Sequence, residues 1–297
     1  MKRFFCILSL IIGTWTGIYA QQSAHYTQYM LNDFVINPAI AGVNDFYQVR
    51  TNHRFQWVGL TDPPLTNTIS VYGPHAKLPM GFGGYLYSDV TGPTSRTGIT
   101  GSYAYNIEIN RDIRLSMGLS IGMMQYKLDG TQLNIKDNSD LAIQPVVNST
   151  YVPDAGIGFY AYADEWYAGF SVSQLLNNKL KIFDVKNGLN KLKSHFYLTG
   201  GYKYEMNRDI TIEPSLIPKG TAPKMYQFDL SIRVIYKEMM WGGLSYRLKD
   251  AISVMIGYIH DEMIYFGYAY DIGVTSLRNY NSGTHEIMIG YRFNDVR

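Results

Sequence analysis

The segment closest to a catalytic motif is Gly118-Leu119-Ser120-Ile121-Gly122, which has the Gly-x-Ser-x-Gly spacing of hydrolase nucleophile elbows. That spacing supports acyl transfer only at a sharp strand-to-helix turn, where the serine hydroxyl is exposed beside a histidine and an acid. Here apolar and small residues alternate along 112–123, which is typical of an uninterrupted strand. We therefore interpret Ser120 as one of a row of small side chains. The sequence predicts no catalytic residue and no enzyme.

Residues that could bind a metal or a nucleotide also lack the spacing that such sites require. The six histidines are scattered, and no pair has the i, i+4 spacing of a helical zinc site. The stretch 137–140 offers oxygen atoms for calcium but lacks the glycine and distal glutamate of the standard loop, so we interpret it as a solvated loop tip. The glycines of 81–84 fall within a strand pattern and open no helix. The sequence thus predicts no metal ligand and no cofactor.

The N-terminus has the order of a secretory signal peptide. A basic pair, Lys2 and Arg3, precedes a mostly apolar stretch, and Ala20 offers a small residue for cleavage before Gln21. The apolar stretch is too short for a comfortable membrane-spanning helix, and the alternative is an N-terminal helix that stays in place. We therefore expect residues 1–20 to be a signal peptide and the mature chain to be exported.

Composition excludes further classes of protein. The only cysteine, Cys6, lies in the leader, so the mature chain has no disulfide or thiolate chemistry. Removing residues 1–20 takes away two positive charges and no negative ones, so the net charge of +2 becomes zero. A neutral chain has no basic surplus for phosphates, and we expect no nucleic-acid partner. Charged residues make up only 17%, against roughly 25% in soluble domains.

Strict alternation of apolar and small or polar residues is the strongest structural signal. In 112–123 every second residue is apolar, which in a strand places one apolar face opposite one small, polar face. The pattern recurs in 227–236, 251–258 and 284–293. Fourteen candidate strands have about the 9–11 residues that span a membrane, although Pro214 weakens one of them. They are 46–57, 66–72, 80–88, 95–106, 112–127, 153–162, 166–175, 194–205, 210–217, 225–237, 239–247, 251–259, 263–273 and 283–293.

The connections between these strands favour closure into a membrane barrel. Every second connection is a tight polar turn, and most of the others are longer, as when short turns face the periplasm and long loops face the exterior. The short turn at 248–250 breaks the rule. Tyrosine and tryptophan lie near many strand ends, where a membrane–water boundary would hold them. The prediction is an all-β, transmembrane outer-membrane barrel of about fourteen antiparallel strands over 46–297; the alternative is a soluble β-sandwich with an aromatic core.

Residues 21–45 precede the strands and do not alternate. We expect a short helix that includes Tyr29 and Asp33 and ends at Pro38, in a segment that is periplasmic or plugs the lumen. Charged residues also fall at inward strand positions, where buried charges need partners or water. They indicate either a wet lumen with mutual salt bridges or a docking surface for a peptide or plug. These residues are Arg50, Arg54, Arg114, Lys203, Glu213, Asp229, Arg233, Arg247, Glu286 and Arg292.

Several motifs resemble those of the PorP/SprF family. The opening Tyr26-Thr27-Gln28-Tyr29-Met30-Leu31-Asn32 is followed by Ile36-Asn37-Pro38-Ala39 and by Ala41-Gly42. Next comes Arg54-Phe55-Gln56-Trp57, and Ser282-Gly283-Thr284-His285-Glu286 precedes the last strand. The similarity covers essentially the whole mature chain. The chain departs modestly at residues 33–35, which read Asp-Phe-Val where members often have Pro-Leu-Ala.

This resemblance implies a specific function, which the strand pattern by itself does not indicate. It implies a non-enzymatic outer-membrane barrel of Bacteroidota, in the lipid of that membrane, associated with type IX secretion and gliding motility. Such a barrel would anchor or assist a secreted cargo or surface adhesin through the partner's C-terminal domain, with other secretion-system or periplasmic proteins as further partners. The rivals are a porin or transporter for small solutes and an outer-membrane hydrolase.

Five residues are predicted to bind the partner or the plug. They are Asn37 and Pro38, which lie outside the strands, and Arg54, Gln56 and Trp57, at the end of the first strand. None of them is required for a barrel. By period two Arg54 and Gln56 face inward, so Arg54 could donate charge-assisted hydrogen bonds to a carboxylate or a backbone carbonyl of the plug or partner. A purely structural role, pinning the plug, is the alternative.

Overall fold

The computed structural model describes residues 24–133, 145–180, 191–221 and 224–296, and its strands form one closed antiparallel sheet. The strands are β1 (Phe46–Phe55), β2 (Leu65–Pro74), β3 (Met80–Thr91), β4 (Thr94–Glu108), β5 (Arg114–Asp129), β6 (Val147–Tyr162), β7 (Trp166–Ser173), β8 (His195–Tyr202), β9 (Tyr204–Asn207), β10 (Ile210–Thr221), β11 (Lys224–Tyr236), β12 (Met240–Arg247), β13 (Ala251–His260), β14 (Ile264–Gly273) and β15 (Thr284–Asp295).

Strands that follow each other in sequence pair, except β8 and β9, and β1 pairs with β15 to close the barrel. β8 and β9 both pair with β10, so they occupy one position and the barrel has fourteen positions. The predicted fold is confirmed.

Pro214 lies within β10, which is longer than the sequence predicted. Its partner on β11 is Ile232. On the opposite edge of β10 the pairing strand changes from β9 to β8 near Pro214. Pro218, further along, also falls in a gap of the β8 ladder. A proline has no N–H to donate, so it is tolerated where one neighbouring ladder is interrupted. The strand therefore continues to Thr221.

The two ends of the barrel differ in the length of their connections. Strand β1 begins and β15 ends at one end, where the five-residue connections 75–79 and 109–113 are the longest. At the other end the connections include 56–64, 130–146, 174–194 and 274–283. Since short turns face the periplasm and longer loops the exterior, we call these the periplasmic and the extracellular end.

The outer face of the barrel is a continuous band of exposed apolar side chains. On β5, Leu119 and Ile121 are 60% and 75% exposed, and the same alternation runs along β11 and β13. A closed sheet satisfies its backbone groups internally, which is what allows strands to lie in hydrocarbon. In the part of the chain that the structure describes, no helix has the length and apolarity to cross a membrane.

Arginine at Leu119 should destabilise the barrel strongly. The side chain faces outward near the middle of β5, so a charge there would lie near the bilayer midplane at a cost of about 2–4 kcal/mol. Arginine at the equally exposed Met206, which lies near the periplasmic rim on β9, should cost about 0–1 kcal/mol. Urea unfolding in lipid vesicles measures both free energies. Equal losses would show that the outer face is assigned wrongly.

The segment before β1 enters the lumen instead of forming the predicted short helix. It consists of three 3₁₀ turns, Tyr29–Leu31, Asp33–Val35 and Pro38–Gly42. Pro38 begins the third turn, where its fixed φ suits the first position and the Asn37 side chain accepts the Ala39 N–H. The proposed signal peptide, residues 1–20, and the stretch 137–140 lie outside the described residues.

Candidate functional site

Residues 24–45, here called the N-terminal segment, run through the lumen from one end to the other. Gly42 lies near the periplasmic end, where its carbonyl accepts a hydrogen bond from Asn106 of β4 at 2.7 Å. Ala24 lies with Tyr87 and Asp154, towards the extracellular ends of β3 and β6. The segment therefore traverses the barrel, and its contacts with the wall form the candidate site.

The extracellular half of the segment is held by charged side chains of the wall. Glu286 accepts the backbone N–H groups of both Thr27 and Gln28, at 2.8 and 3.0 Å. The Thr27 hydroxyl donates to Asp271 at 2.9 Å and accepts from Arg54 at 2.8 Å. Arg54 also forms ion pairs with Asp271 at 2.7 Å and with Glu286 at 3.1 Å. We call these three wall residues, Arg54, Asp271 and Glu286, the latch.

Further buried charges extend the latch around the wall. Arg247 pairs with Asp229 at 3.2 Å and with Asp271 at 3.4 Å, and Lys219 pairs with Asp229 at 2.6 Å. All of these side chains are at most 7% exposed. Removing one member of such a network leaves an uncompensated buried charge, which is far costlier than losing a surface pair. The network therefore makes each of its members costly to remove and fixes the position of the segment against the wall.

Neutral hydrogen bonds hold the middle of the segment. The Tyr29 hydroxyl lies 2.9 Å from the Ser215 hydroxyl of β10. Asn32 donates to Asn52 of β1 at 2.7 Å and accepts from Ser70 of β2 at 3.0 Å. These bonds connect the segment to opposite arcs of the wall, so it cannot move toward one arc without losing bonds to the other.

Glycines on the inner wall make room for the periplasmic half of the segment. A side chain at Gly158 of β6 would overlap the Asn37 side chain and approach Pro38, and one at Gly118 of β5 would overlap the Pro38–Ala39 backbone. Backbone and side chain can approach this closely only where the wall has no Cβ. Gly81 of β3 faces Gly42 in the same way. We call Gly81, Gly118 and Gly158 the glycine seat.

Hydrogen bonds from the wall fix the segment on this seat. The Asn37 amide donates to the Phe159 carbonyl at 3.0 Å. The Ser116 hydroxyl donates to the Ala39 carbonyl at 2.5 Å, and the Ser171 hydroxyl donates to the Ile36 carbonyl at 2.8 Å. Serines of the inner face thus donate to the Ile36 and Ala39 carbonyls, so the wall helps to satisfy the buried backbone groups of the segment.

Apolar packing fills the cross-section of the lumen at the level of the segment. Phe34 stacks on Tyr72 with ring centroids 4.4 Å apart, and both are at most 3% exposed. Ile40 and Tyr160 belong to the same cluster, whereas Leu31 packs with a second cluster around Trp241. Side chains from the segment thus meet side chains from both sides of the wall, and the lumen is closed at this level.

The five residues predicted to bind the partner or plug fall into two groups. Asn37 and Pro38 lie on the glycine seat, and Arg54 is part of the latch. Gln56 and Trp57 follow β1 at the extracellular rim, where they line a small recess together with Arg54. The structure therefore brings Arg54, Gln56 and Trp57 together and places Asn37–Pro38 farther down the lumen.

Three functional residues were missed by sequence reasoning. Thr27 stands in the opening motif, but nothing in its spacing marks a latch contact. Asp271 occupies an inward position of β14 by period two, which is the sequence signal that marks it. Lys219 lies beyond residue 217, the predicted end of β10. Pro214 and Pro218 made this strand difficult to recognise in the sequence. Among the predicted inward charges, Arg114, Lys203 and Arg292 lie near the strand ends and are partly or fully exposed.

The contacts in this arrangement are of the kind that bind a polypeptide. Ser120 lies in the middle of β5 and not at a strand-to-helix turn. Among the described residues, no three histidine, cysteine, aspartate or glutamate side chains are placed to hold a metal ion. What the wall offers is a set of fixed charges, amides and hydroxyls that recognise a polypeptide backbone, in this structure the chain's own.

Comparisons with known proteins give a family and several barrels of similar fold. A family model described as type IX secretion system membrane protein PorP/SprF matches residues 18–291. No curated protein matches the chain significantly. Among solved structures, the toluene transporter TbuX of Ralstonia pickettii is 9% identical, with a TM-score of 0.54 over 88% of this chain and 93% of that one. The monoaromatic hydrocarbon channel CymD is 12% identical, with a TM-score of 0.47 over 92% and 94%. The Acinetobacter baumannii outer membrane protein Omp33 is 7% identical, with a TM-score of 0.47 over 84% and 98%.

Proposed function

The chain belongs to the PorP/SprF family of type IX secretion system membrane proteins, and we propose that it is a non-enzymatic anchor for a secreted or cell-surface partner. It would hold or assist an adhesin-like cargo through the partner's C-terminal domain. The family and the barrel fold place the protein in the outer membrane. The closed lumen is the observation that carries the proposal, because a barrel filled by its own chain is suited to presenting a surface and not to conducting solutes.

The surface that we assign to the partner is the extracellular rim around Trp57. Trp57 has a positive φ of 54°, and its backbone N–H donates to the Thr284 hydroxyl at 3.1 Å. The next residue, Val58, exchanges backbone hydrogen bonds with Ser282 and Gly283 at 2.7 and 2.9 Å. The loops 56–64 and 274–283 are therefore joined into one platform, connected through Arg54 to the latch below.

Alanine at Trp57 should weaken partner binding without opening the barrel. A central aromatic residue of an interface contributes about 2 kcal/mol or more, which corresponds to a roughly 30-fold loss of affinity. Alanine at Gln56 should have a smaller effect, and alanine at Ile109, exposed at the periplasmic end, should have none. The measurements are surface display of the partner and its co-purification from native membranes.

These variants leave every latch and seat residue unchanged, so the barrel should still migrate as a folded species before boiling. Display and co-purification at the wild-type level in both rim variants would overturn the assignment of this rim to the partner. If no secreted protein co-purifies with the wild type, the anchoring function itself fails.

A porin or transporter for small solutes is the second candidate. The fold is shared with TbuX, described as a toluene transporter, but the 9% identity shows the fold alone. Two recesses do remain in the lumen, one on each side of the packed level. Steady conductance by the wild-type barrel would favour this candidate.

A further inference from the structure

A cavity of about 90 Å³ lies in the extracellular half of the lumen, between the N-terminal segment and the wall formed by β3 to β8 and β10. Five tyrosines line it, two from the segment and three from the wall. The volume has room for several water molecules, or for the end of one long side chain. The tyrosines are Tyr26, Tyr29, Tyr85, Tyr87 and Tyr197.

Most charged groups at the cavity have a partner nearby. Lys219 is paired with Asp229 at 2.6 Å. Asp89 accepts the Thr66 hydroxyl at 2.8 Å and is in register with Arg96 of β4. Lys219 and Asp89 are therefore each held by a neighbouring side chain.

Asp154 of β6 differs in being held by backbone groups. Its carboxylate accepts the N–H of Ala155 at 2.8 Å and that of Gln174, and among the described residues it takes part in no ion pair. It is half-buried, and it lines the cavity together with Tyr85 and Tyr87, whose ring centroids are 6.0 Å apart. A carboxylate beside aromatic faces attracts a cation in two ways, through its charge and through the ring quadrupoles.

We propose that this cavity binds a cationic side chain, a lysine ammonium or an arginine guanidinium, carried by the polypeptide that the barrel holds. The negative charge of Asp154 and the surrounding tyrosine rings favour a cationic group as the occupant of the cavity. The identity of that polypeptide rests on the function proposed above. The cation would enter from the extracellular end, on the same side of the packed level as the Trp57 platform.

Binding of small probes to the purified full chain in detergent tests the site. The probes are N-acetyl-lysine methylamide and its norleucine counterpart, which keeps the carbon stem and lacks the charge. We expect the lysine probe to bind the wild type and the Asp154→Asn variant to bind it at least tenfold more weakly. Asp62→Asn, which alters an exposed carboxylate at the same end, should bind like the wild type.

Three outcomes would overturn the proposal. They are equal binding of the norleucine probe, undiminished binding by Asp154→Asn, and equally tight binding of calcium chloride alone, which would make this an inorganic cation site. Tyr87→Leu provides a second variant, and a several-fold weakening there supports the aromatic contribution.

Co-purification of the partner with Asp154→Asn tests whether the cation belongs to the partner. Reduced recovery supports that assignment, and recovery at the wild-type level overturns it. The Trp57→Ala experiment examines the rim without altering Asp154. Failure at the cavity and failure of the anchoring function are therefore distinguishable.

Discussion

Alanine at Arg54 is expected to destabilise the barrel by about 3–5 kcal/mol, because it leaves buried carboxylates without their cation. Glu286 would lose its ion pair, and of its two ion pairs Asp271 would keep only the longer one, with Arg247 at 3.4 Å. The hydroxyl of Thr27 would lose one donor as well. The effect should therefore reach beyond the wall and loosen the extracellular half of the N-terminal segment.

Urea unfolding in lipid vesicles measures the loss, and hydrogen exchange at the Thr27 and Gln28 amides reports the loosening. Arg114→Ala is the matched control, since the Arg114–Glu108 pair is long at 3.7 Å and exposed, and should contribute about 0–1 kcal/mol. If both arginines prove equally dispensable, the latch does not hold the segment.

Leucine at Gly158 is expected to expel the segment from its seat. The new side chain would overlap Asn37 and Pro38, so the hydrogen bond from Asn37 to Phe159 could not form. Overpacking costs about 1–3 kcal/mol, and the lost seat bonds add to it. The amides of residues 36, 37 and 39–42 should then exchange up to roughly 100-fold faster, since about 1.4 kcal/mol corresponds to a factor of ten.

Gly101→Leu provides the matched control for this experiment. Gly101 faces outward on β4, and a side chain there would meet no atom within 4 Å. The strand gains the same bulk but keeps the seat free. Unchanged exchange in Gly158→Leu, with the barrel folded, would mean that the segment does not rest against this glycine.

The barrel itself could be predicted because its cause is local. Period-two alternation fixes which side chains face lipid, and turn lengths fix which strands are neighbours. Among the strands predicted too short, β10 contains two prolines whose tolerance depends on interruptions in the facing β8–β9 ladder. That information belongs to the neighbouring strand, so residues 210–221 alone could not supply it.

The site could be predicted only in part, because its contacts join residues far apart in sequence. Period two places Arg54 and Glu286 on the inner face, but not beside each other and beside Thr27, which is 259 residues from Glu286. Likewise, small inward residues at 118 and 158 are visible in the sequence as strand pattern. Their contact with the turn at Pro38 depends on where β5 and β6 lie in the barrel, which the strand pattern does not show.

Electrical recording from the purified wild-type protein in planar lipid bilayers shows whether the chain closes its own lumen. We expect no steady open channel in the wild type and a clear conductance after deletion of residues 24–40, which removes the contacts with the latch and most of those with the seat. A stable, ohmic channel in the wild type, unchanged by that deletion, would mean that the segment does not block the lumen and would favour a porin.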